Sequence, residues 1–130
     1  MGLNTIEQLM DKGESELNNR DKILLKEFNL LLTKNIKYSR GVKFYAEHLA
    51  ITPRKLNILT KEYYGITAKV FIEERIIIDS KKLLLETPET VKQISYNLGF
   101  TEQTNFNKFF KKNTATTPLQ YREQYNKSTF

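Results

Sequence analysis

Residues 91–112 read VKQISYNLGFTEQTNFNKFFKK, and this stretch decides the fold class. Apolar residues recur at helical spacing on both sides of Gly99. Gly99 suits a turn in which a backbone with positive φ would penalise a Cβ atom. Two short helices joined by a tight turn form a helix-turn-helix, so the stretch predicts this motif.

The same pattern occurs once more, earlier in the chain. Residues 46–52 (AEHLAIT) align with residues 95–101 (SYNLGFT) at an offset of 49. Both copies run small residue, two variable positions, Leu, small residue, apolar residue and Thr. After one extra residue in the second copy the match continues, pairing Leu56 with Phe106, Asn57 with Asn107, Lys61 with Lys111 and Gly65 with Ala115. Ala50 stands where the second copy has Gly99, so the first turn departs from the ideal pattern.

Threonines mark most of the predicted helix starts, because a Thr hydroxyl accepts a hydrogen bond from an unpaired backbone N–H. We expect such caps at Thr52, Thr101 and Thr117, and Gln three residues after Thr90 and Thr117 predicts a reciprocal capping box at each. Seven helices follow, at about 21–33, 42–49, 53–64, 67–86, 90–97, 102–112 and 118–125. No alternating strand pattern competes, so the prediction is an all-α fold with two helix-turn-helix subdomains joined by a long central helix.

Net charge restricts the class of partner. The chain carries a formal charge of +6, of which +5 falls in residues 41–130 and +1 in residues 1–40. Such a chain is attracted to polyanions, whether DNA, RNA or an anionic lipid surface. It has no cysteine, which excludes disulfides, thiolate zinc sites and cysteine nucleophiles. No apolar run approaches the roughly 20 residues of a membrane span, and no signal peptide is recognisable, so we expect a cytoplasmic protein without a membrane partner.

The outward faces of the second helix of each motif favour DNA. On a helical wheel, Leu56, Leu59 and Tyr63 point inward in the first, as do Phe106, Phe109 and Phe110 in the second. The outward residues are Arg54, Asn57, Ile58 and Lys61 in the first, and Thr104, Asn107, Lys108 and Lys111 in the second, with Gln103 at its exposed start. Amide and guanidinium groups suit base edges and Lys suits phosphates. Ile58 fits either a thymine methyl group or packing against a neighbouring element.

Two other functional classes fit the sequence less well. An enzyme lacks support, because the only histidine, His48, has no evident catalytic partner, and Glu73, Glu74 and Asp79 lie among basic residues as surface pairs. We therefore expect no catalytic residue, no cofactor and no metal site. A helical protein-interaction module with basic faces would explain the charge but not the duplicated turn.

With these motifs, the chain resembles the DNA-binding domain of the AraC/XylS family of bacterial transcription regulators, over about residues 20–125. Residues 91–112, Thr117-Pro118 and Tyr121-Arg122 carry the resemblance most specifically. It implies a two-lobed domain that binds double-stranded promoter DNA and often contacts RNA polymerase. It also implies base reading by Arg54, Asn57 and Ile58 in the first lobe and by Gln103, Thr104, Asn107 and Lys108 in the second. Many members have Arg at the place of Ile58, and Ala115 replaces a frequent Gly.

The predicted organisation follows from these assignments. Residues 1–20 are expected to be a linker or tail, and residues 21–130 the DNA-binding domain, with a first lobe at 21–66, a connecting helix at 67–86 and a second lobe at 87–125. The connecting helix would be about 30 Å long, close to one duplex turn. Six apolar residues are expected to pack from it against the lobes: Ile76, Ile77, Ile78, Leu83, Leu84 and Leu85. The family usually has a separate sensor domain, so we expect a fragment of a regulator without a small-molecule ligand.

Overall fold

Seven helices make up the described part of the chain, which in this computed structural model comprises residues 19–37 and 41–127. They are α1 (Asn19–Asn35), α2 (Val42–His48), α3 (Pro53–Tyr64), α4 (Ala68–Glu86), α5 (Val91–Asn97), α6 (Gln103–Thr114) and α7 (Pro118–Lys127). No strand occurs within these residues. The prediction of an all-α fold is confirmed, and each predicted helix end lies within about two residues of the observed one, the usual uncertainty of helix boundaries.

The chain divides into two compact units, and the division falls inside α4. The first unit contains α1, α2, α3 and the start of α4 as far as Ile72. The second contains α4 from Glu73 onward, α5, α6 and α7, together with Ile36 and Lys37 after α1. The predicted lobe bounds stay predictions. Most of the predicted tail, residues 1–18, lies outside the described residues, whereas Asn19 already begins α1.

The core of the first unit is built on Phe28, which is fully buried. Its ring meets Tyr45 edge-on at 5.7 Å and Phe71 at 5.4 Å between centroids. Phe71 in turn stacks on Tyr64 at 4.6 Å, and Asn29 Nδ2 donates to the Tyr64 hydroxyl at 3.4 Å. Burial raises the pKa of the Tyr64 phenol above its usual value, because desolvation disfavours the charged form. This cluster joins α1, α2, α3 and the start of α4.

The core of the second unit is an aromatic cluster on α6. Phe106 and Phe110 are fully buried, with Phe100 5.2 Å from Phe106 and Tyr121 5.5 Å from Phe110 between ring centroids. Large buried side chains of this kind each contribute roughly 1.5–3 kcal/mol. The cluster therefore fixes α6 against the turn that precedes it and against α7.

Arg122 fastens α7 to the end of α4. Its Nε donates to the carbonyl oxygen of Leu84 at 2.9 Å, and its Nη2 donates to that of Thr87 at 3.2 Å. Leu84 lies in the last turn of α4, where carbonyls have no partner within the helix, and Thr87 directly follows the helix, so these charged hydrogen bonds satisfy both oxygens. Arg122 therefore has a structural role in the second unit.

The central helix corrects one prediction. Ile76, Ile77 and Leu84 are buried, but Ile78 is 62% exposed and Leu85 is 41% exposed. Successive helical residues are rotated by about 100°, so three in a row cannot all face one core. The expectation that all six apolar residues pack inward is wrong for Ile78 and Leu85. None of the described helices has the length and apolar content needed to cross a lipid bilayer.

Candidate nucleic-acid interface

The two helix-turn-helix turns have the same backbone hydrogen bonds. After α2, Ala50 N donates to Glu47 O at 3.0 Å and Ile51 N to Ala46 O at 3.0 Å. After α5, Gly99 N donates to Tyr96 O and Phe100 N to Ser95 O, again both at 3.0 Å. The residues at the tip, Ala50 and Gly99, both have positive φ, of 56° and 89°. The repeat in the sequence is thus a repeat of backbone geometry.

Small residues let the two helices of each motif approach each other, as expected. Ala46 and Ser95 are completely buried, and the Ser95 hydroxyl is satisfied by donating to Lys92 O at 2.7 Å. The ends of the second helices also correspond. Gly65 after α3 and Ala115 after α6 adopt the left-handed conformation, and each donates its N–H back to the helix, to Lys61 O and Lys111 O.

The turns differ in the space around their tips. A Cβ atom at Gly99 would collide with the backbone carbonyl of Lys37, so glycine is required there by contact as well as by its φ. Ala50 already carries a Cβ in a left-handed conformation, which costs about 1–2 kcal/mol. The first turn thus retains a strain that the second avoids.

The helices begin differently as well. Thr52 caps α3, since its hydroxyl accepts from Lys55 N at 3.0 Å. The predicted cap at Thr101 is wrong: α6 begins one residue later, with Glu102 at the N-cap position and no side-chain hydrogen bond. The extra residue in the second copy causes this shift.

The two predicted capping boxes are present. Gln93 N donates to the Thr90 hydroxyl at 3.1 Å while Thr90 N donates to Gln93 Oε1 at 2.8 Å. The same reciprocal pair forms between Thr117 and Gln120, at 3.1 and 2.9 Å. These boxes define the starts of α5 and α7, the helices on either side of α6.

The exposed face of α3 contains three of the four residues predicted for it. Arg54, Ile58 and Lys61 are exposed, Ile58 by 40%. Asn57 is half-buried, and its Oδ1 accepts the backbone N–H of Ala68 at 3.0 Å. This oxygen therefore has a donor within the chain, and the contact of Asn57 with a base stays a prediction.

The exposed face of α6 contains Thr104, Lys108 and Lys111, as predicted. Gln103 and Asn107 are half-buried. Asn107 Oδ1 is itself buried and meets no donor among the described residues. Asn107 therefore lies at the margin of this face.

The predicted set lacks two exposed residues of the outward face of α6, Asn105 and Lys112. With 100° per residue, the buried pair Phe106 and Phe110 places Lys108 at the centre of the outward face and Asn105 and Lys112 within about 60° of it. A helical wheel thus places both residues on the outward face. The predicted face left them out because it was centred too close to Asn107.

The outward face of α6 is more basic than that of α3. It presents Lys108, Lys111 and Lys112, whereas α3 presents Arg54 and Lys61 beside the exposed Glu62. Lys55 of α3 is also held by Asp21 of α1, with Nζ and Oδ1 3.7 Å apart. Electrostatic attraction to phosphates therefore favours the second unit.

His48 and Asp79 both have partners within the chain. His48 Nδ1 donates to Phe44 O at 2.9 Å, and its ring lies 4.1 Å from that of Phe44. Asp79 pairs with Arg75 at 3.5 Å, as expected for neighbours one turn apart. The described residues contain no group of three or more His, Cys, Asp or Glu that would hold a metal ion.

Comparison with known proteins agrees with this geometry. A family model described as a helix-turn-helix domain matches residues 45–124. The arabinose operon regulatory protein of Escherichia coli (strain K12) is 31% identical over 77 residues, which are 59% of this chain and 26% of that protein. The probable transcription factor PqrA of Proteus vulgaris is 31% identical over 94 residues, 71% of this chain and 77% of that protein.

The regulatory protein PocR of Salmonella typhimurium is 29% identical over 84 residues, 65% of this chain and 28% of that protein. The chain thus spans about a quarter of the length of PocR and of the arabinose regulator.

Solved structures show the same fold. A transcriptional regulator from Chromobacterium violaceum, described as containing an AraC-type DNA-binding domain, superposes with a TM-score of 0.69 at 24% identity, covering 82% of this chain and 96% of that one. The DNA-binding domain of AdpA, solved in complex with a target DNA, has a TM-score of 0.72 at 15% identity, covering 81% of this chain and 94% of that one. The family model matches more than half of the chain. The chain therefore belongs to the AraC/XylS family of bacterial transcription regulators, and its paired helix-turn-helix units form the DNA-binding domain of that family.

Proposed function

We propose that this domain binds one double-stranded promoter site sequence-specifically, with α3 and α6 as recognition helices in successive major grooves. The observation that carries the proposal is the duplicated turn: the same two backbone hydrogen bonds occur in each turn, and each turn is followed by a helix with an exposed, basic outer face. A helix of this kind fits the major groove, where side chains reach base edges.

The proposed contacts divide by chemistry. Base edges are contacted by Arg54 and Ile58 from α3 and by Gln103, Thr104, Asn105 and Lys108 from α6. Lys61, Lys111 and Lys112 are proposed to neutralise phosphates, which positions the helices without reading sequence. Ile58 is exposed rather than packed, which supports its apolar contact with a thymine methyl group.

For the whole regulator, the proposal extends to control of transcription at a bacterial promoter through contact with RNA polymerase, and hence to action in the cytoplasm, where that DNA is found. No catalytic step and no small-molecule ligand belong to the proposed role of this domain. His48 donates to the backbone of Phe44, and Asp79 pairs with Arg75.

Selection from a random duplex pool tests the proposal. The chain is used to enrich binding sequences through several rounds, and the enriched duplex and a scrambled duplex are then titrated in parallel. We expect two preferred blocks about 10 base pairs apart, one for each recognition helix. A single block would contradict reading by both helices. No enrichment at low salt would overturn sequence-specific binding and favour a protein partner for the basic faces.

A further inference from the structure

Asn57 and Asn107 occupy the same position in the two copies, yet their surroundings differ. Both lie in the middle of a recognition helix, 11 residues before the first residue of the next helix. In the first unit that residue is Ala68, and in the second it is Pro118. Alanine has a backbone N–H and proline has none. At this position the second unit therefore lacks the backbone hydrogen-bond donor that the first unit has.

In the first unit the donor is used. Ala68 is completely buried, and its N–H donates to Asn57 Oδ1 at 3.0 Å. The first N–H groups of a helix have no partner within the helix, so the asparagine supplies one. This bond fixes α3 to the start of α4 and fixes the rotamer of Asn57. Asn57 is thus a positioning residue of the first unit.

In the second unit the same oxygen has no donor. Asn107 Oδ1 is buried without a hydrogen-bond partner in the described chain. The residue that corresponds in sequence to the donor Ala68 is Pro118, which has no N–H to give. A buried carbonyl without a donor is unfavourable, so the unbound domain gains little by keeping the side chain in this rotamer. A rotamer that turns the amide outward becomes favourable as soon as a partner outside the chain satisfies it.

The neighbours of Asn107 show where such a partner lies. Thr104 and Lys111, three residues before and four after, are exposed and lie on the same row of the helix. An asparagine amide matches adenine in the major groove, accepting from N6 and donating to N7. Both polar atoms of Asn107 would then be satisfied at once.

We propose that Pro118 leaves Asn107 free to turn outward and read an adenine in the second block of the site, whereas Asn57 is held by Ala68 and reads no base. The inference rests on the proposed function. It separates two asparagines that the family resemblance treats alike, and it names the backbone difference that distinguishes them.

The experiment repeats the duplex selection with Asn107→Ala, Pro118→Ala and the control Asn113→Ala, which changes another asparagine of α6. We expect Asn107→Ala to lose one adenine preference in the second block and to bind the enriched duplex about tenfold more weakly. Pro118→Ala restores the N–H and locks the side chain, so it weakens the same preference while the other positions stay unchanged. Asn113→Ala retains the wild-type selection.

A second measurement uses the wild-type chain alone and does not depend on the folding of a variant. The side-chain amide resonances of Asn57 and Asn107 are followed by ¹⁵N–¹H NMR as the enriched duplex is added. We expect the Asn107 amide signals to shift strongly and those of Asn57 to stay near their free positions. Equal small shifts at both would overturn the inference.

The outcomes separate the inference from the proposed function. If the wild type enriches a site and Asn107→Ala selects the same site with the same affinity, Asn107 is not a reading residue, while sequence-specific binding stands. If Pro118→Ala keeps the adenine preference in full, proline does not control it. If the wild type enriches nothing, the proposed function itself fails.

Discussion

The two helix-turn-helix units have the same backbone hydrogen bonds but differ at the turn tip, at the start of the recognition helix and in exposed side chains. Their turns have matching hydrogen bonds, and their recognition helices end alike, at Gly65 and Ala115. The turn tip, however, is Ala50 in one and Gly99 in the other, and of the two recognition helices only α3 has a side-chain cap. The backbone arrangement is thus maintained by small and apolar positions, while caps, strain and exposed chemistry vary independently.

The largest expected effect comes from the tip of the second turn. Gly99→Ala places a Cβ against the backbone of Lys37 in a left-handed conformation, so we expect the free energy of unfolding to fall by about 2–5 kcal/mol. Urea denaturation followed by circular dichroism measures this. Gly65→Ala is the matched control: its φ is also positive, but a Cβ there would meet nothing within 4 Å, so it should lose only about 1–2 kcal/mol. Equal losses would show that packing against Lys37 does not distinguish the second turn.

The next effect concerns the attachment of the last helix. Arg122 corresponds to the buried Ile72 of the first unit, so the second unit uses two charged hydrogen bonds where the first uses apolar packing. We expect Arg122→Ala to reduce the free energy of unfolding by about 2–3 kcal/mol. The exposed Arg54→Ala should change it by less than about 0.5 kcal/mol in the same denaturation assay. A loss at Arg122 no greater than at Arg54 would remove its structural role.

The recognition faces give the third comparison, between Lys108 of α6 and Ile58 at the matching position of α3. We expect Lys108→Ala to weaken binding to the enriched duplex by about 1–3 kcal/mol, because a charged donor to a base edge is lost. Ile58→Ala removes only an apolar contact and should cost about 1 kcal/mol or less. Fluorescence anisotropy titrations report both. If the Ile58 variant were the weaker binder, the first helix would dominate recognition.

The smallest expected effect is a gain. Ala50→Gly relieves the left-handed strain of the first turn but adds freedom to the unfolded chain, so the two changes nearly offset each other. We expect a net stabilisation of about 0.5 kcal/mol, measured as a higher urea midpoint. A lower midpoint would show that Ala50 is accommodated without strain.

Much of the fold follows from local patterns that the sequence displays directly. The turn at Gly99 and the capping boxes at Thr90 and Thr117 depend on neighbours within a few residues, and all are observed. Thr101 misled the prediction because the extra residue of the second copy moves the N-cap to Glu102. The prediction for Ile78 was wrong because a run of apolar residues does not show which of them faces the core.

The candidate site was less predictable, because its side chains depend on tertiary contacts. A helical wheel places Asn57 near the surface, but it cannot show that the N–H of Ala68, 11 residues away, occupies its oxygen. Likewise the pairing of Lys55 with Asp21 of α1 requires the packed first unit. Exposure of Lys108 and Lys111, by contrast, follows from helical spacing alone.

The most direct test of the central claim, DNA binding with a larger phosphate contribution from α6 than from α3, is the salt dependence of affinity for the enriched duplex. We predict that the logarithm of the binding constant falls linearly with the logarithm of salt concentration. The slope should flatten by about 1.8 in the Lys111→Ala, Lys112→Ala double variant and by about 0.9 in Lys61→Ala, since each phosphate contact contributes about 0.9. A slope near zero in the wild type, or a larger change from Lys61 than from the pair on α6, would contradict the account.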